Sequence, residues 1–159
     1  MAIKYPSEDG PYLEAAFICE KVLQEIDGVK SAIRIIDRVN RGAIGPEPPA
    51  EMAPFNYGLT IFIRFKSGRA RGSSQIQIQP IKPSGETKTP IRIGVLFEGE
   101  EDRGIDLTFP ARVTFDQTGV WWFYVTLDGN FVTKIPFRVV YMPQFTPPPA
   151  GGTLPPPPA

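Results

Sequence analysis

The sequence predicts an all-β chain folded as a single β-sandwich, immunoglobulin-like or similar, of about eight strands. Three observations carry this expectation. Apolar and polar residues alternate with period two in run after run beyond residue 56. Turn-forming residues separate those runs at short intervals. No stretch in that region holds a long helical pattern. A chain of 159 residues fits one domain and can bury a substantial core.

Residues 1–11 read as an N-terminal extension, polar and without the apolar stretch of a signal peptide. The next segment, ICEKVLQEIDGVKSAIRIIDRVN at 18–40, is ambiguous. Ala15, Ile18, Cys19, Val22, Leu23 and Ile26 fall on one helical stripe. Two strands joined at Asp27-Gly28 are the other reading. A two-residue loop there pairs Glu25 with Lys30, which is favourable, and Lys21 with Arg34, which is not. The proline-rich stretch 41–54 then reads as a loop.

Beyond it the alternation is clear. Leu59, Ile61, Ile63 and Phe65 share one face of a strand. Ile76 and Ile78 alternate with Gln75, Gln77 and Gln79. Ile91, Ile93, Val95 and Phe97 form the next row, and Leu107, Phe109, Ala111, Val113 and Phe115 the one after. The last pair forms a hairpin about Asp128-Gly129-Asn130. Its rows are Trp121, Phe123, Val125, Leu127 and Ile135, Phe137, Val139, Tyr141. Pro136 places the final strand at an edge, or turns its missing donor outward. The spacing Gly119-x-Trp121-x-Phe123 is similar to the Gly-x-Tyr-x-Cys stretch of immunoglobulin-type strands. The sandwich is expected over residues 12–142. Residues 143–159, with eight prolines, read as a flexible, disordered tail.

The order Cys19-Glu20-x-Val22-x-x-Glu25-x-x-Gly28-x-x-Ser31-x-Ile33-x-Ile35-x-Asp37-Arg38-Val39 resembles the opening of a family of small uncharacterised bacterial proteins. Later features are similar too: the proline-rich loop 46–54, a glycine-containing hairpin at 66–72, Gly119-x-Trp-Trp-Phe, Leu127-Asp128-Gly129 and Ile135-Pro136-x-Arg-Val. The resemblance covers roughly residues 12–142. It implies an all-β domain and the strand reading of 18–40, and it implies no activity.

Composition excludes much chemistry. The chain has no histidine, which removes the usual general base and the commonest metal ligand. One cysteine, Cys19, allows no intrachain disulfide, which fits a reducing, cytoplasmic setting. Lys plus Arg equal Asp plus Glu at 17 each, so no global field draws the chain to nucleic acid. The apolar runs are too short to span a membrane. Nucleotide loops and serine-hydrolase elbows are absent.

Two surface candidates for partner binding remain. Arg64, Lys66, Arg69 and Arg71 cluster about one turn, with Gln75, Gln77 and Gln79 extending the same polar face and Phe62 beside it. The plainer reading is a solvated sheet face. Trp121 and Trp122 point to opposite faces of their strand, so one indole is core. With Trp121 inside, Trp122 and Tyr124 lie outward as a contact surface. The acidic loop 98–106 reads as an exposed turn rather than a calcium site, and Cys19 as a buried small hydrophobe. No catalytic residue, cofactor or metal is assigned. The chain is expected to be a non-enzymatic interaction or adaptor module for an unknown protein partner. The alternatives are a structural subunit of a phage or bacterial multiprotein assembly (an oligomer or hetero-assembly), a carboxylate-based enzyme, and a weak nucleic-acid binder using 64–72.

Overall fold

The computed structural model describes residues 9–44 and 52–144. The expected tail lies, from residue 145 onward, outside the described residues. Nine strands form two sheets: β1 (Tyr12–Gln24), β2 (Lys30–Ile35), β3 (Arg38–Ile44), β4 (Phe55–Lys66), β5 (Arg71–Ile81), β6 (Ile91–Glu98), β7 (Gly104–Phe115), β8 (Gly119–Leu127) and β9 (Asn130–Gln144). Sheet one has the order β2-β1-β4-β7, and sheet two β3-β9-β8-β5-β6. All pairs are antiparallel except β3 with β9. The all-β sandwich is therefore as expected, with one strand more. The additional strand arises because the second run breaks at Ile36-Asp37. β2 stays in sheet one while β3 crosses to sheet two. Residues 41–44, expected in the loop, belong to β3.

The segment 18–40 is strand, turn and strand. Its register differs by one residue from the two-residue loop considered above. Gln24 faces Lys30, and Lys21 faces Ile33. Gly28 at φ 86° supplies the left-handed residue of a longer turn. Gly28 N donates to Glu25 O, Glu25 N to Val29 O, and Val29 N to the Asp27 side chain. This shift removes the Lys21–Arg34 repulsion and brings Arg34 to Glu20 at 3.1 Å.

Side-chain alternation builds the core. Leu59, Ile61, Ile63 and Phe65 of β4 are buried against Ile76, Ile78, Trp121, Phe123, Val125, Phe137 and Val139 of sheet two. The rows of β6 and β7 are only half-buried before Phe97 and Phe115, because both strands are sheet edges. At the β7–β8 corner, Phe115 meets Trp121 edge-on at 4.9 Å and stacks on Phe137 at 5.4 Å. The Trp121 indole donates to Gln117 O.

Among the prolines within strands, Pro80, Pro110 and Pro136 each turn the missing donor away from a ladder. Ser67 N donates to Arg103 O, continuing the β4–β7 register. Odd-numbered β7 residues thus face β4, and Pro110 faces the open edge. Lys88 Nζ bonded to Thr114 O on that edge agrees. Arg138 N donates to Asp37 O, so Pro136 also faces the β3 side, at a level that β3 does not reach. Pro80 O accepts from Lys88 N, away from its β8 partner Phe123.

Lys82 is buried beside this corner and donates at 2.9 Å to both Asp116 and Glu86. These bonds, Asp116 first, hold its ammonium above the ordinary lysine range despite desolvation. The folded chain therefore binds this proton more tightly than the unfolded one. The stabilisation is full below the unfolded lysine value of about 10.4 and is lost as pH rises through the folded value. Lys82→Met is expected to lower the urea midpoint at neutral pH, since half-buried Asp116 loses its ion partner. It is also expected to flatten the alkaline decline predicted for the unaltered protein. Phe115→Ala, which empties the middle of the ring cluster, is expected to cost about 3–5 kcal/mol in the same measurement.

Candidate functional site

β1 has two successive partners. Residues up to Cys19 pair with β4, Cys19 pairs with both β4 and β2, and Lys21 to Gln24 pair with β2 alone. The separation is marked by Thr60 Oγ1, which donates to Glu20 O. Beyond this point the β1–β2 hairpin leaves the sandwich. It returns through Ile36, whose N–H donates to Ile18 O and whose side chain packs on the core.

This hairpin concentrates exposed apolar surface. Leu23, Ile26, Val29, Ile33 and Ile35 lie within it, five of the nine large exposed hydrophobics among the described residues. Val29 is 59 % exposed, Ile35 66 %, and Ile26 fully so. Glu20–Arg34, Ser31–Glu25 and Lys30–Gln24 contacts tie the two strands together across their polar positions. On the other side, Val22, Lys30 and Ala32 face Phe17, Phe62 and Arg64 across a groove of about 220 Å³. Phe62 stacks on Phe17 at 5.0 Å and is buried on this outer side of sheet one. It is therefore not available as an open stacking platform.

The basic segment 64–72 is not a hairpin. β4 and β5 belong to different sheets, and the turn between them is a corner from one to the other. Gly68 at φ 55° and the Ala70 N to Ser67 O bond shape it. Arg64 and Lys66 accordingly share no face with Gln75, Gln77 and Gln79. Arg64 forms a bidentate pair with Asp106 at 2.6 and 2.8 Å, and that bonding raises the guanidinium pKa. Lys66 donates to Asp102 O, and both cations lie 3.8 Å from Glu14. Arg69 is exposed at the corner, and the Arg71 stem lies beside Gly99. Arg103 takes Glu100 at 2.8 Å and Glu98 at 3.6 Å. Arg64 and Asp106 thus pair across the β4–β7 ladder, while Glu98 and Glu100 pair with Arg103 of their own segment.

Trp122 and Tyr124 are half-buried on the outer face of sheet two. Lys134 lies between them, 4.3 Å from the Trp122 ring centre and 6.0 Å from that of Tyr124. Trp121 is fully buried, as the alternation requires. Cys19 is also fully buried, its thiol pushed up by burial and bonded to Lys21 O. Among the described residues no cluster of three or more His, Cys, Asp or Glu side chains could hold a metal ion.

The profile of a protein family of unknown function matches residues 14–140, nearly the whole described sandwich. The chain belongs to that family, DUF6941. The resemblance read from the opening hairpin and the later strand motifs agrees with this all-β membership. No curated protein matches the chain. Among solved structures, an immunoglobulin-like protein from Pseudomonas aeruginosa is similar at 12 % identity and a TM-score of 0.38. The match covers 84 % of this chain and 99 % of that one.

On the sequence, Leu23 and Ile26 share a helical stripe with Ile18 and Cys19, which hides the hairpin as a surface. Their failure to alternate cleanly as strand residues was the available signal. A double-mutant cycle on Arg64→Ala and Asp106→Ala is expected to give a coupling of about 0.5–1 kcal/mol that shrinks with added salt. Urea unfolding at two ionic strengths checks it.

Proposed function

We propose that this chain is a non-enzymatic protein-interaction module that binds a protein partner through its β1–β2 hairpin. One observation carries the reading: aliphatic side chains from Leu23 to Ile35 stand in solvent on a hairpin held away from the core. Exposed apolar side chains grouped in this way mark contact surfaces. The hairpin itself is built to be held in shape, by the Glu20–Arg34 pair, the Gly28 turn and the Ile36 anchor. A pre-shaped surface loses little conformational freedom on binding.

The remaining chemistry supports binding over catalysis. The chain lacks histidine, and the carboxylates Glu98, Glu100 and Asp106 are engaged by arginines. Among the described residues no helix is long and apolar enough to cross a membrane. A subunit in a larger assembly would use the same surface.

Ile26→Asp with Ile35→Thr tests the proposal. Both residues are exposed, so stability is expected to stay within about 0.5 kcal/mol. A partner recovered by affinity capture with the unaltered chain is expected to bind the double variant at least about tenfold more weakly. Equal affinity of the two would place the contact elsewhere on the molecule.

A further inference from the structure

The outer face of sheet two carries a second, separate surface whose chemistry is one-sided. Trp122 and Tyr124 lie two positions apart on β8, and Tyr124 continues to the exposed Phe131 at 5.7 Å. Pro136 lies opposite Trp122, and Lys134 opposite Tyr124. Among the described residues the Trp122 indole N–H, the Tyr124 hydroxyl and the Lys134 ammonium have no hydrogen-bond acceptor; Lys134 touches only the ring faces. The face is thus a row of rings with unused donors between them.

A polyproline II helix is the complementary ligand. Its rings fill slots between aromatic side chains, and its prolines bring carbonyl acceptors but no N–H donors. The chain holds such a segment. Residues 155–158 are four consecutive prolines, eleven positions beyond the last residue of β9, Gln144. The distance also suits. From Gln144 back to Pro136 is eight strand residues, about 26 Å at roughly 3.3 Å each. Eleven residues of extended chain cover about 34 Å at roughly 3.1 Å each. The reversal must follow Gln144 at once, at Phe145-Thr146, which leaves nine residues, about 28 Å at roughly 3.1 Å each, to reach the level of Pro136.

We infer that the run Pro155–Pro158 of this chain docks on its own Trp122–Tyr124–Lys134 face. The tether makes this ligand intramolecular, so its docking needs no second copy of the chain. The surface is distinct from the β1–β2 hairpin, so either assignment can fail without the other.

The test uses the full chain labelled with nitrogen-15. The two indole resonances are assigned with Trp122→Phe, and Pro155, Pro156, Pro157 and Pro158 are then replaced together by serine. The substitutions lie outside the sandwich, and the buried Trp121 indole reports whether the fold is retained. The expected result is a Trp122 indole resonance that shifts by more than its linewidth while that of Trp121 stays in place. Contacts between proline ring protons and the Trp122 or Tyr124 rings are expected in the unaltered chain and absent from the serine variant. An unmoved Trp122 resonance, with no such contacts, overturns the proposal. A shift that disappears on dilution also overturns it, because the tail would then come from a second copy.

Discussion

The fold rests on the contact of Phe115 with Trp121 and Phe137. Phe115 ends the last strand of sheet one, while Trp121 and Phe137 belong to adjacent strands of sheet two. Two edge-on and stacked ring contacts therefore fix the spacing of the sheets at the corner where the chain passes between them. The indole N–H is satisfied by Gln117 O, so the corner closes without an unpaired buried donor. The Gln117 side chain accepts from Ser84 N, and Lys82 and Lys88 reach across to Asp116 and Thr114. The 82–88 loop is thereby held to the same corner.

Edge control is the second constraint. A nine-strand sandwich of this order leaves four edges, formed by β2, β7, β3 and β6. Pro110 interrupts the open side of β7, and Lys88 occupies a carbonyl there. By contrast, β2 carries the exposed Ile33 and Ile35. The chain guards one edge of sheet one and leaves the other apolar.

Much of this was legible in the sequence where one face of a strand is core and the other solvent. The rows Leu59–Phe65, Trp121–Val125 and Ile135–Val139 announced both their conformation and their burial. Two things were not legible. Whether the turn at 67–70 made a hairpin or a corner depends on which sheet each strand joins, and local residues do not encode that. Residues 18–36 imitated a helix because the β1–β2 hairpin is apolar on both sides. Val22 and Ala32 line the groove, and Leu23 and Ile33 stand in solvent. The pattern that obscured the strand assignment is the one that marks the candidate site. The charged candidates were visible singly, but the pairing of Arg64 with Asp106 across 42 residues depends on the β4–β7 register.

The parallel pairing of β3 with β9 has a temporal consequence. Arg38 lies beside Arg138, and Ile44 beside Gln144, so residues one hundred positions apart share a ladder. A ribosome releases β3 long before its partner exists. Sheet two cannot be completed until the final strand emerges, because β9 alone joins β3 to β8. The β3–β9 pairing closes a loop of about one hundred residues, and the entropy of that closure grows only slowly with loop length.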